Sequence, residues 1–225
     1  MSAPPALNSK PNPAQSLYEQ AKSAPESAVF VILTLGLLLG LQPLATDLYL
    51  PALPQLQQGF GAHVSQAQLT LTGFLLAFGC SQILWGPLSD RLGRRPVLLV
   101  STAGAVGSYL LFALSARFAS SAGLAVLLGS RIFAGICGAN ISVASAAIAD
   151  VTTPEKRSRG MGLIGMAFGL GFVFGPVIGG LSFKNLGLAG PGLVAAGLCA
   201  FNFLPALAIL PETRPAGLQI GRAHV

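Results

Sequence analysis

GPLSDRLGRR, Gly86 to Arg95, decides how the rest of the chain is read: it sets four charges (Asp90, Arg91, Arg94, Arg95) between two long apolar runs, in a protein with only 9% charged residues. A cluster this tight between apolar runs of about 20 residues marks a short turn joining two membrane spans, on the side where Lys and Arg collect, the cytoplasm. Gly86 and Pro87 are expected to end the helix before it. Gly93 lets the chain turn tightly, and Pro96 suits the first turn of the helix that follows. The plainer alternative is a loop whose charges only hold orientation.

Composition agrees with a membrane protein, since 52% of the 225 residues are hydrophobic. Residues 1–27, rich in Pro, Ser and Ala, read as a disordered cytoplasmic leader without the basic start or cleavage site of a secretory signal. The 28 Gly and 16 Pro would signal disorder in water, but both are common in membrane helices, where they permit close packing and kinks. The net charge of +6 comes with no basic face or aromatic platform that would receive nucleic acid. Cys80, Cys137 and Cys199 all fall inside apolar runs without ligand spacing, so they read as buried packers, and no metal or cofactor is expected.

Apolar runs fall at about 29–50, 67–86, 96–116, 124–149, 160–181 and 191–210. The first, at 1.5 Å per residue, spans about 33 Å, enough to cross a bilayer. Ten Lys and Arg fall in the leader, the second-to-third loop, the fourth-to-fifth loop and the tail, against two (Arg117 and Lys184) on the other side and Arg131 within a run. The expected fold is therefore all-α: six transmembrane helices in residues 28–214, made of two three-helix repeats, with both termini cytoplasmic.

Ionised side chains inside membrane helices are costly, which singles out Asp47 and Arg131. Asp47 lies three residues before the outward end of the first span and Arg131 about seven past the start of the fourth, so helical rise puts them at depths of about 5 and 10 Å in the outer half. If their helices are neighbours, a long Arg side chain could bridge that gap, and the pair would make a proton switch. The alternatives are an interfacial carboxylate for Asp47 and a purely structural pairing for Arg131. In the fifth span Gly171, Gly175 and Gly179 form a ridge of small residues for close helix packing. Pro176 beside them predicts a kink, and Gly180 adds to the cluster. Ordinary packing without a transport role is the alternative there. No nucleophile–base pair, carboxylate dyad or Cys/His cluster is present, so no enzyme chemistry is expected.

These stretches resemble a known family. GPLSDRLGRRP (Gly86 to Pro96) is similar to the loop signature between helices two and three of the major facilitator superfamily. LLGSRIFAGICGA (Leu127 to Ala139) resembles its fourth-helix motif, with Arg131 at the characteristic arginine. GFVFGPVIGG (Gly171 to Gly180) resembles the fifth-helix motif of its antiporters, and LPETR (Leu210 to Arg214) the end of helix six. TDLYLPALP (Thr46 to Pro54) further resembles the drug:proton antiporters of the bicyclomycin and chloramphenicol resistance branch.

The resemblance implies an inner-membrane, multi-pass protein that exports drugs in exchange for protons. It implies Asp47 and Arg131 in proton coupling, and Asp90, Arg94 and Asp150 as a cytoplasmic relay that latches the outward-open state. Gln42, Gln68, Gln82, Asn140 and Asn202 are about the only amides within the spans, which suits amphipathic or apolar drugs better than sugars. Expected partners are membrane lipid, a drug-like substrate with protons, and a missing C-terminal six-helix half, since family members carry two related halves. The ending IGRAHV matches one translated frame of a common sequencing adapter, so the tail 215–225 is expected to be an artefact of truncation. An inactive fragment, a non-transporting scaffold and a half-size subunit active only as a dimer are the alternatives.

Overall fold

The computed structural model describes residues 25–118, 120–138, 140–152 and 154–213. Nearly all of the expected leader, and the tail 215–225, lie outside the described residues. Helix α1 spans Pro25–Asp47 and leads through a 3-10 turn at Leu50–Ala52 into α2, Leu53–Phe60. Pro51 and Pro54 sit in the first turns of these short segments, where a backbone N–H would have no helical partner. Gly61, left-handed at φ 59°, ends α2. The remaining helices are α3 (Val64–Leu92), α4 (Arg94–Ser115), α5 (Ser120–Gly138), α6 (Ile141–Val151), α7 (Pro154–Leu186) and α8 (Gly190–Ile209).

Two expectations are corrected. Gly86 and Pro87 do not end a helix: α3 runs through both to Leu92, and the turn shrinks to Gly93 at φ 105°, which lies between α3 and α4 with no other residue. Proline inside a membrane helix removes one backbone bond without ending the helix. Six separate spans are not found either. Among the described residues, five helical stretches are long and apolar enough to cross a membrane: Phe30–Phe60, Val64–Leu92, Arg94–Ser115, Ser121–Asp150 and Met161–Ile209. The runs read as fifth and sixth belong to one 49-residue stretch, Met161–Ile209, in which only the short 3-10 turn Gly187–Ala189, entered through left-handed Gly187 at φ 66°, stands between α7 and α8. The link between the two runs, apart from Lys184 and Asn185, is itself mostly apolar, so hydropathy does not break there. The placement of both termini on the cytoplasmic side assumed six crossings and falls with that count.

Helix α1 packs against α7 and α8, α3 against α5, and α4 against both α5 and α8. Exchanging α1, α3, α4 for α5, α7, α8 maps the α1–α7 contact onto the α5–α3 contact, so the bundle is two clasped three-part units of like packing. The clasp is lined by Leu35, Leu39, Val97, Leu98 and Ile148 toward one end, Leu48, Tyr109 and Cys199 midway, and Tyr49, Leu56, Phe112 and Leu127 toward the other. Leu76, Ile83 and Leu84 of α3 and Phe172, Val173 and Val177 of α7 point outward, an apolar surface that suits lipid. The helix carrying Arg131 stops at Gly138 and restarts at Ile141, with Asn140 at φ −101°, ψ 5°. Asn140 N–H donates to Gly138 O at 2.8 Å, and the carbonyl of Ile136, the usual i−4 acceptor, accepts instead from Trp85 Nε1 at 2.6 Å.

Candidate functional site

Arg131 is the largest fully buried side chain, 1% exposed. Its guanidinium carbon lies 5.3 Å from the ring centre of Tyr49 and 4.9 Å from those of Tyr109 and Phe112. Tyr49 and Phe112 meet edge to face at 5.9 Å, and the Tyr49 hydroxyl is hydrogen-bonded to Thr70, which itself donates to Ala67 O at 2.5 Å. The cage is thus assembled from the end of α1, from α4 and from α5, and tied to α3. Each ring facing a desolvated guanidinium contributes about 0.5–2 kcal/mol, which offsets part of the cost of burying the charge. Among the described residues Nε and Nη2 of Arg131 have no hydrogen-bond partner. An anionic group brought to them would be held strongly.

Asp47 is buried too, at 9% exposed, but the structure does not pair it with Arg131. Among the described residues the ion pairs are those Arg94 makes with Asp90 and Asp150. Helical rotation of about 100° per residue explains the separation: Tyr49 turns toward Arg131, while Asp47, two positions earlier, faces α7. A Cβ built on Gly175 would stand 2.7 Å from the Asp47 Cβ, and one on Gly171 3.0 Å from Gly40 O and Leu44 N of α1. A Cβ on Gly179 would strike the Leu48 backbone, whereas Gly180 faces open space and Pro176 is exposed. Helix α7 runs unbroken through Pro176. Gly179→Ala is therefore expected to destabilise the α1–α7 contact by about 1–3 kcal/mol, because backbone cannot swing aside. Gly180→Ala is expected to be neutral. Thermal unfolding of both variants in lipid nanodiscs checks this, and equal midpoints would remove Gly179 from the contact. Between α1 and α7 lies an apolar cleft of about 460 Å³, lined in part by Ile32, Gly36, Met166, Leu170 and Phe174, that reaches neither Asp47 nor Arg131.

At the turn the structure brings Asp90, Arg94 and Asp150 together. Arg94 Nη1 donates to Asp90 Oδ1 at 2.5 Å and to Ser89 Oγ at 2.6 Å, and Nε donates to Asp150 Oδ2 at 3.4 Å. The Arg94 side chain is only 13% exposed, against 46% for Asp90 and 20% for Asp150. Asp90 precedes Arg94 by one helical turn's spacing, although Gly93 separates their helices; Asp150 arrives on α6 from the other unit. Arg95 also has a partner at this turn: Nη2 donates to Leu207 O at 3.0 Å.

Sequence reasoning missed the aromatic cage and Glu212. Two of the chain's three Tyr and one of its 13 Phe make the cage, a signal buried in an apolar background. Glu212, in the LPETR stretch, accepts the backbone N–H of Arg94 at 2.8 Å and of Arg95 at 3.3 Å.

The sequence profile of the Major Facilitator Superfamily matches residues 35–224. The chain belongs to the Major Facilitator Superfamily. As a member of this family of transporters it is not an enzyme, and it is a multi-pass inner-membrane protein. It is 39% identical over 181 residues to the class E tetracycline resistance protein of Escherichia coli, covering 78% of this chain and 42% of that protein. A chloramphenicol resistance protein of Pseudomonas aeruginosa is 37% identical over 188 residues, covering 80% and 42%. The crystal structure of the human organic anion transporter MFSD10 superposes with a TM-score of 0.68 at 32% identity, covering 83% of this chain and 48% of that one. Likenesses this even do not single out the bicyclomycin and chloramphenicol branch. The chain spans less than half the length of these relatives.

Proposed function

We propose that this superfamily chain, together with a second helical half, exports small amphipathic or apolar drug-like molecules in exchange for protons. The observation that carries the reading is the caged Arg131, a buried guanidinium with two nitrogens unpartnered among the described residues, beside Tyr49 in the turn two residues beyond Asp47, the last residue of α1. A charge kept at such cost inside a membrane helix marks a functional centre. Among the described residues Asp47 has no cation in ion-pair distance and Arg131 no carboxylate, so both are able to gain a partner when the bundle rearranges, and protonation of Asp47 would switch that gain off. The apolar cleft between α1 and α7 and the relatives named for tetracycline and chloramphenicol resistance support a drug-like substrate. Arg94, held between Asp90 and Asp150, is the latch that sets the balance between inward-open and outward-open states.

Everted vesicles carrying the chain completed by its second half test this. Proton-gradient-driven drug uptake is expected, and Asp47→Asn should abolish the dependence on the gradient while membrane abundance stays unchanged, because Asn can neither take up nor release the proton. Gradient-driven transport at the original rate in Asp47→Asn would remove Asp47 from coupling. Absence of drug flux in the unsubstituted protein would sink the reading as a whole.

A further inference from the structure

Each end of a helix leaves backbone groups without helical partners, donors at the N-terminus and acceptors at the C-terminus. At the turn end of this bundle, two helices from different units answer each other's orphans. The Glu212 carboxylate, three residues past the end of α8, receives the Arg94 and Arg95 N–H groups that open α4. In return the Arg95 guanidinium donates to Leu207 O, one of the last carbonyls of α8. An anion thus stands at a positive helix end and a cation at a negative one, each favoured by the dipole it faces. The site is closely fitted: a Cβ on Gly93 would collide with the Glu212 carboxylate, and Gly93 holds φ 105°. Side chain and backbone of Arg94 are therefore fixed from opposite directions, the guanidinium by Asp90 and Asp150 and the amide by Glu212.

We propose that Glu212 is the positioning residue for Arg94: it clamps the start of α4 so that the guanidinium can hold Asp90 and Asp150 at once. In this role Glu212 accepts the backbone N–H groups of Arg94 and Arg95 and acts on the guanidinium through that backbone. The clamp couples the segment after α8 to the Asp150 contact, so that movement of one unit's end is felt at the other. The importance of the clamp to transport rests on the latch reading above, but the clamp can be measured in the isolated chain without transport, so the two fail separately.

The experiment uses the whole chain in lipid nanodiscs, with Glu212→Gln as the main variant because it keeps size and one acceptor. Amide exchange at Arg94 and Arg95 should rise about tenfold in Glu212→Gln, the signature of a lost charge-assisted hydrogen bond. Unfolding midpoints of Glu212→Gln, Asp150→Asn and the double variant then separate positioning from mere capping. If Glu212 acts through Arg94, the double variant should lose clearly less than the two single losses added together. Unchanged exchange at Arg94 overturns the clamp. Additive losses overturn the positioning role and leave a helix cap.

Discussion

Arg131→Met is expected to leave the helices folded and to cut transport by the completed protein about 100-fold or more, the scale of a lost coupling between sites. The two halves of that expectation have different causes. Arg131 is 1% exposed and, among the described residues, has no carboxylate in ion-pair distance, so the fold bears a desolvated charge that three aromatic rings only partly offset. Exchanging a buried ionic group for an apolar one of similar volume is often neutral or stabilising by about 1–4 kcal/mol. A methionine sulfur also sits well against ring edges, so the cage stays filled. The activity should behave oppositely, since no thioether can gain an anionic partner when the bundle rearranges. Arg131→Lys should fall between: it keeps charge but loses the planar group that lies against Tyr109 and Phe112. Unfolding midpoints and drug flux measured on the same preparations decide it. A methionine variant that transports at the original rate would reduce the caged arginine to a relic of packing.

Much of this architecture could be read from residue order, and the failures have physical causes. The apolar runs and the Gly86–Arg95 cluster located the membrane helices and the tight turn, because hydropathy and charge density vary sharply along the chain there. Gly171, Gly175 and Gly179 announced a close helix contact through spacing alone, and α1 is the helix that fills it. Helix ends were less legible. Gly86 and Pro87 looked like terminators, yet α3 passes through them, since a membrane helix tolerates the single bond a proline removes. The count of spans failed where the link from α7 to α8 is only a short, mostly apolar 3-10 turn. Depth along a helix correctly brought the end of α1 near Arg131, but rotation about the axis decided which residue arrived, and it was Tyr49 rather than Asp47. Glu212 was invisible for a different reason. Its partners are backbone N–H groups 118 and 117 positions away, and backbone leaves no trace in side-chain patterns.

The second large effect is expected at the turn. Arg94→Ala should impair transport by about 10–100-fold at equal membrane abundance, while Arg91→Ala should change it by less than about threefold. Removing Arg94 leaves Asp90 and Asp150 facing each other without the cation that both contact, and leaves Ser89 Oγ without the Nη1 donor. Breaking a fully buried pair costs about 3–5 kcal/mol, whereas exposed pairs are worth about 0–1. With the Arg94 side chain 13% exposed but Asp90 at 46%, an intermediate loss of about 1–3 kcal/mol is appropriate. Because Asp90 belongs to α3 and Asp150 to α6, that loss falls on a contact between the two units, and so on the equilibrium between conformations that open and close this end. Arg91 is exposed on the last turn of α3, and its main contribution is expected to be orientation against lipid headgroups. Arg94→Lys discriminates further, since one ammonium cannot spread over two carboxylates as the guanidinium does, and it should recover only part of the flux. Drug efflux by the three variants, each normalised to the amount in the membrane, provides the comparison. Equal losses for Arg94→Ala and Arg91→Ala, or full activity in Arg94→Lys, would mean that these charges only set the orientation of the turn, and the latch would have to be abandoned.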